Sequence, residues 1–237
     1  MADKLYFRQL LAGRDFARDD ALAHQMVNFA YLIGDREAGV AIGVDLAYAP
    51  GEILDLLDQD GMRLVGAVAT HYHADHVGGD LFGMQIAGVA ELLEIADVPV
   101  YVQRDEARFV SLSTGLGLDT FVALEPGATV SAGEVAIQCI HTPGHTPGSQ
   151  CFLVEGRLVA GDTLFLQGCG RTDLPGGDPE VLYDSLFNTL GHLSDDTILY
   201  PGHLYSPEAS ATMGETRRSN YVLQPRGPRE WLALFGG

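Results

Sequence analysis

The chain has 237 residues, 46% of them hydrophobic, with 32 acidic side chains against 14 basic ones and a formal charge of −18. That length and apolar content can bury a large core, and the sequence is read as one globular domain over residues 1–237. The acidity argues against a phosphate-backbone partner, since such affinity comes from Lys and Arg displacing counterions, and no apolar run approaches the roughly 20 residues that cross a bilayer.

In chain order, short runs rich in Val, Ile and Ala predict strands at 27–33 and 39–44, followed by a helical pattern at 50–59 and a strand at 64–69. A helix is predicted at 86–95, a strand at 98–102 and a helix at 104–111. Strands follow at 135–140, 151–154 and 158–160. A helix over 179–193 has Asp178 as N-cap, Pro179 first and Val181, Leu182, Leu186 and Leu190 along one face; a strand at 197–200 comes last. Strands mixed with surface helices indicate a layered α/β architecture. Met1-Ala2-Asp3-Lys4 lacks the layout of a signal peptide, and Cys139, Cys151 and Cys169 form neither an even disulfide set nor a CxxC pattern, so a reducing, cytoplasmic setting is expected.

The strand at 64–69 runs directly into Thr70-His71-Tyr72-His73-Ala74-Asp75-His76. Packing alone would leave these polar rings without partners, whereas a divalent ion accepts their lone pairs together. Further polar groups follow other apolar runs: His141-Thr142-Pro143-Gly144-His145, then Gly161-Asp162-Thr163, then Pro201-Gly202-His203. Separate strands can therefore deliver them to one sheet edge.

Taken in order, THxHxDH (70–76), PGHTPG (143–148), GDT (161–163) and PGH (201–203) resemble the metallo-β-lactamase superfamily. The resemblance implies a four-layered αββα sandwich, two mixed β-sheets face to face with helices outside and metals at one edge. It implies that His71, His73 and His145 ligate one metal, that Asp75, His76 and His203 ligate a second, and that Asp162 bridges them. Neutral imidazoles suit zinc, iron and manganese, and a carboxylate can bridge two cations. Two divalent ions, zinc foremost, would lower the pKa of a shared water towards neutrality, with Asp75 also orienting that nucleophile.

Within the superfamily, GCGRTD (168–173), GGDPEVLYDSL (176–186) and DDTILYPGHLY (195–205) most resemble the glyoxalase II and persulfide dioxygenase branch. The leading expectation is a hydrolase of small thioesters, of the hydroxyacylglutathione hydrolase type, with no nucleic-acid or membrane partner. The alternative is a mononuclear non-haem iron persulfide dioxygenase using His71, His145 and Asp162 as a facial triad. Lactonase or β-lactamase chemistry ranks lower, and a non-catalytic scaffold would predict eroded ligands, of which none is missing.

Several assignments stay open. His141 competes with His145; the family pattern selects His145 and leaves His141 bonded to backbone or to a ligand carboxylate. His24 and His192 lie outside every motif. The resemblance has Arg171 clamping a substrate carboxylate and Tyr205 donating a hydrogen bond; the alternatives are a loop-ordering pair with Asp173 and a packing role. Glyoxalase II carries a longer C-terminal helical part, with which Arg217, Arg218, Arg226 and Arg229 cannot be aligned. The segment 86–120, with Phe109, Leu112, Leu116 and Leu118, is either a lid or a packed surface helix.

Overall fold

The apolar runs become strands whose alternate residues face two different cores. In β2 (Phe29–Asp35) every residue is buried: Phe29, Tyr31 and Ile33 point one way, Ala30 and Leu32 the other. A strand covered on both faces reads as a continuous apolar run rather than an alternation. The computed structural model describes residues 4–225 and 227–235, so Met1 to Asp3 and Arg226 lie outside the described residues.

The first sheet joins β1 (Leu5–Leu11), β2, β3 (Val40–Val44), β4 (Arg63–Val68), β7 (Val100–Gln103) and β8 (Phe121–Leu124) in the order β1-β2-β3-β4-β7-β8. Between β4 and β7 the chain forms a small hairpin, β5 (Gly79–Leu81) with β6 (Met84–Ile86). The second sheet runs β14-β13-β12-β11-β10-β9, from β9 (Thr129–Ala132), β10 (Val135–His141), β11 (Gln150–Val154), β12 (Arg157–Gly161), β13 (Ile198–Pro201) and β14 (Ala211–Thr212). Both sheets are mixed: β3 pairs parallel with β4 and β12 parallel with β13, while their neighbours β2 and β11 run antiparallel.

Three apolar layers define the expected αββα sandwich. Ile33, Ile42 and Val68 meet Val130, Ile137 and Phe152 between the sheets. Outside the first sheet, Leu32, Leu64 and Val100 pack on Ile53 and Leu57 of α2 (Pro50–Gln59), Leu92 of α4 (Val89–Ile95) and Val110 of α5 (Ala107–Thr114), with α1 (Ala21–Met26) alongside. Outside the second sheet, Cys151, Leu158 and Leu199 face Leu182 of α6 (Pro179–Asp184), Met213 of α7 (Met213–Ser219) and Trp231 of α8 (Pro228–Phe235). The helix α3 (Ala74–Val77) is a single turn inside the histidine motif.

Two expectations change. The helix expected at 86–95 starts only at Val89, because Met84–Ile86 pairs back on Gly79–Leu81. The segment 86–120 is largely scaffold: β7 lies inside the first sheet, and α4 and α5 cover it. Phe109 stacks on Tyr72 and Leu116 packs on the core, while Leu112 and Leu118 are exposed.

The helix expected at 179–193 is regular only to Asp184, then widens to a π turn at Ser185–Thr189 and tightens to a 3-10 turn at Leu190–His192. Leu182, Leu186 and Leu190 are fully buried through this change, whereas Val181 is exposed rather than on the core face. Ser185 Oγ donates to the Pro143 carbonyl (2.6 Å), which ties the wide turn to the loop carrying His145. Asp178 caps the helix, its Oδ1 accepting from the N–H groups of Glu180 (2.9 Å) and Val181 (3.1 Å). Asp178→Ala is expected to cost about 1 kcal/mol, read as a lower denaturant midpoint at unchanged slope.

Candidate metal centre

Strand ends build the site. Thr70 and His71 follow β4, His145 lies in the β10–β11 loop, Asp162 follows β12, and His203 follows β13. Close backbone approach brings the last two together: a Cβ on Gly202 would fall 2.3 Å from Asp162 Oδ1. Gly161 takes φ +49, and a Cβ there would meet the Thr70 side chain. The GDT and PGH motifs thus need glycine for steric reasons.

The donor atoms converge in two adjoining groups. His71 Nε2 lies 2.9 Å from His73 Nδ1, which lies 3.1 Å from His145 Nε2. In the second group His203 Nε2 lies 3.4 Å from Asp75 Oδ2 and 3.2 Å from His76 Nε2. Asp162 stands between them, with Oδ1 3.4 Å from His76 Nε2, and Oδ2 3.3 Å from His203 Nε2 and 3.8 Å from His145 Nε2. Tetrahedral bonds of about 2.0–2.1 Å would space donors roughly 3.3 Å apart. The spacing and chemistry of these residues fit divalent ions.

The outer nitrogens fix which ring atom faces inward. His145 Nδ1 donates to the Arg171 carbonyl (2.7 Å), His203 Nδ1 to the Met26 carbonyl (2.7 Å), and His76 Nδ1 to Asp45 Oδ2 (2.9 Å). His71 Nδ1 is 3.0 Å from Thr70 Oγ1, which itself donates to Asp45 Oδ2 (2.6 Å). Each of these rings directs its Nε2 into the cluster, the nitrogen that would offer its lone pair to a metal. His73 presents Nδ1 instead. Asp162 Oδ1, inside the cluster, is buried without a hydrogen-bonding partner, which is rare in packed interiors unless a ligand completes it.

Charge follows the same division. Burial, reinforced by His76 and His73, holds His71 well below the usual imidazole range. Burial opposes the charged form of His76 too, yet Asp75 and Asp162 push it up to about 10. Burial likewise opposes ionisation of Asp162, but His203 and His76 hold its carboxyl well below the usual range. Against its burial, Asp162 and Asp75 raise His203 as well, so these carboxylates favour positive charge in the second group.

Residues that sequence reasoning missed make up the support. Asp45, just past β3, accepts from the Thr70 N–H (2.8 Å) and Oγ1 as well as from His76. Asn28 Nδ2 donates to Asp75 Oδ2 (3.0 Å), and its carbonyl accepts from the Tyr48 hydroxyl (2.9 Å), which fixes the amide orientation. Glu106 bridges the loops bearing His71, His73 and His145. The one local signal was a polar residue bordering an apolar run, Asn28 before β2 and Asp45 after β3. Asp45→Ala is expected to weaken metal affinity by about 10–100-fold with the fold retained, measured by competition with a chromophoric chelator.

The remaining sequence candidates divide. His141 Nε2 donates to the Pro147 carbonyl (3.1 Å) and joins neither group. His24 is bonded to the Arg18 carbonyl, and His192 is exposed. The Arg171 guanidinium is engaged with Asp173 (Nε to Oδ1 2.6 Å), and the Tyr205 ring lies parallel on His203 at 4.6 Å. Both line a cavity of about 510 Å³ that also reaches His73, Asp75, His145 and Asp162. Cys169 lines it too, but burial pushes its thiol up to about 12, so it is no nucleophile near neutral pH.

Comparison with known proteins agrees with this geometry. The family model described as the metallo-beta-lactamase superfamily matches residues 27–203. Human persulfide dioxygenase ETHE1 is 33% identical over 197 residues, 81% of this chain and 70% of that protein. Hydroxyacylglutathione hydrolase of Rhodopseudomonas palustris is 34% identical over 201 residues, 84% of this chain and 71% of that one. Among solved structures, ETHE1 from Myxococcus xanthus superposes with a TM-score of 0.79 at 27% identity, covering 98% of this chain and 90% of that chain.

Proposed function

This chain belongs to the metallo-β-lactamase superfamily, and from that premise we propose that it is a dinuclear metal-dependent hydrolase of thioesters. One observation carries the reading: two adjoining donor groups lie on either side of the Asp162 carboxylate, which comes within 4 Å of His145 in the first and of His76 and His203 in the second, and whose Oδ1 is buried without a hydrogen-bonding partner. His71, His73 and His145 would hold one ion, Asp75, His76 and His203 the other. When bound, the ions supply Lewis acidity and an activated water. Asp75, kept in place by Asn28 and facing the cavity, would orient that water and take up its proton. The Tyr205 hydroxyl stands at the cavity wall, where burial raises its pKa and keeps it a donor. A leaving thiolate, with an ordinary pKa near 8.5, needs no general acid.

The test is a panel of acyl-thioesters, including lactoylglutathione, offered to metal-replete protein. Release of free thiol with two metals per chain is the expected result, and no cleavage across the panel would overturn the reading. A second reading, a mononuclear iron dioxygenase of persulfides, is favoured by the likeness to ETHE1. It requires one iron on His71, His145 and Asp162, and oxygen uptake when a persulfide is added. Two metals and no oxygen uptake would exclude it.

A further inference from the structure

The cavity over the metal centre is poor in cations and rich in apolar surface. Arg171 is its one Lys or Arg among the described residues, and that guanidinium is already paired with Asp173. The rest of the wall includes Met26, Leu81, Phe82, Phe165, Leu174 and Tyr221. Lys4, the sole lysine of the chain, pairs instead with Asp35, Glu37 and Glu134. Arg217 is spent on Asp195 and on the carbonyls of Leu190, Gly191 and Leu193. A glutathione conjugate carries two carboxylates, and this wall offers them no unpaired cation.

The β5–β6 hairpin sharpens the point. Its two turn residues, Phe82 and Gly83, have φ of +53 and +83, the signature of a type I′ turn. Gly, Asn and Asp take such positions at little cost, and a bulky aromatic does not. Phe82 nevertheless occupies the first of them at the cavity mouth, 90% exposed. Packing therefore gives no return for the strained backbone. Strain held without packing gain is a mark of function.

We propose that the Leu81–Phe82 tip, with Phe165 and Tyr221 of the same cavity wall, forms a subsite for an uncharged, apolar acyl chain, so that the enzyme selects neutral apolar thioesters over glutathione conjugates. This rests on the thioester reading for turnover, but the subsite can be tested by binding alone. The probes are non-hydrolysable thioethers: S-octyl-N-acetylcysteamine, its S-ethyl counterpart and S-octylglutathione, titrated calorimetrically into the metal-replete full chain. The S-octyl cysteamine is expected to bind at least about tenfold more tightly than either of the others, since even one methylene in an apolar pocket discriminates by about 10-fold or more. Phe82→Asn, which suits the turn, is expected to leave the melting temperature unchanged or higher while weakening the octyl probe by about tenfold and sparing the ethyl probe.

Equal or tighter binding of S-octylglutathione, or an octyl affinity untouched by Phe82→Asn, would overturn the subsite. The thioester S-octanoyl-N-acetylcysteamine separates the two ideas. Tight octyl binding without its hydrolysis refutes the thioesterase reading and leaves the subsite standing. Hydrolysis with no preference over the acetyl thioester refutes the subsite alone.

Discussion

Asp162→Ala is expected to leave the protein with less than one bound metal per chain and to abolish the metal-dependent gain in thermal stability. Asp162 is the only carboxylate within 4 Å of donor atoms from both groups among the described residues. Without it, two divalent ions would be held by imidazoles and Asp75 alone, in a buried site where uncompensated like charges repel strongly. The activity loss should exceed the about 10–100-fold that an outer partner such as Asp45 is worth. Elemental analysis after dialysis gives the stoichiometry. Melting curves with and without zinc give the linkage: at a thousandfold excess over Kd, the wild-type chain should gain about 4 kcal/mol for each ion bound and the variant almost nothing. Retention of two metals by the variant would remove Asp162 from the bridging position. Asp162→Asn, similar in shape but neutral, should fail nearly as badly if charge is the cause.

Much of this site was legible because each motif is local: a strand ends, and its next residues carry the donors. The helix at 50–59 and its Pro50 start match the structure, and the strands at 135–140 and 151–154 shift by no more than one residue at either end. What escaped has a common physical cause. β1 (Leu5–Leu11) is an edge strand whose middle carries Arg8 and Gln9, and β9 (Thr129–Ala132) alternates exposed and buried residues over only four positions. Neither gives a run long enough to stand out. In the 86–120 segment the strand and both helices were legible, but lid or scaffold was not, because that turns on β7 pairing between β4 and β8. Asn28, Asp45 and Glu106 acquire their roles only through partners 20 to 48 residues away or more, which a place beside an apolar run does not identify.

Glu106 shows how much such a residue can carry. It sits just before α5, almost fully buried, and its Oε1 accepts from the Tyr72 N–H (2.7 Å) and the Thr146 hydroxyl (2.7 Å) while Oε2 accepts from the Gly148 N–H (2.6 Å). Tyr72 lies between His71 and His73, and Thr146 is next to His145, so one carboxylate ties together the loops that bring the first donor group into register. Burial pushes its carboxyl up, and the bonds from Thr146, Tyr72 and Gly148 pull it back. Glu106→Ala would strand the Tyr72 and Gly148 N–H groups, while the Thr146 hydroxyl can turn to Ser149 Oγ at 2.7 Å. At about 1–3 kcal/mol for each stranded donor, with water entering part of the space, the expected loss is about 2–4 kcal/mol. Glu106→Gln keeps the Oε1 acceptor but sets an amide N–H₂ against the Gly148 N–H, and is expected to lose about 1–3 kcal/mol. Denaturation in chelator isolates this term from metal binding, and the same variants in excess zinc report how far the loops still meet. Because the first donor group spans both loops, its metal should be lost before that of Asp75, His76 and His203, giving a one-metal form of Glu106→Ala. Wild-type stability in chelator, or equal loss of both metals, would show that the two loops hold their positions without Glu106.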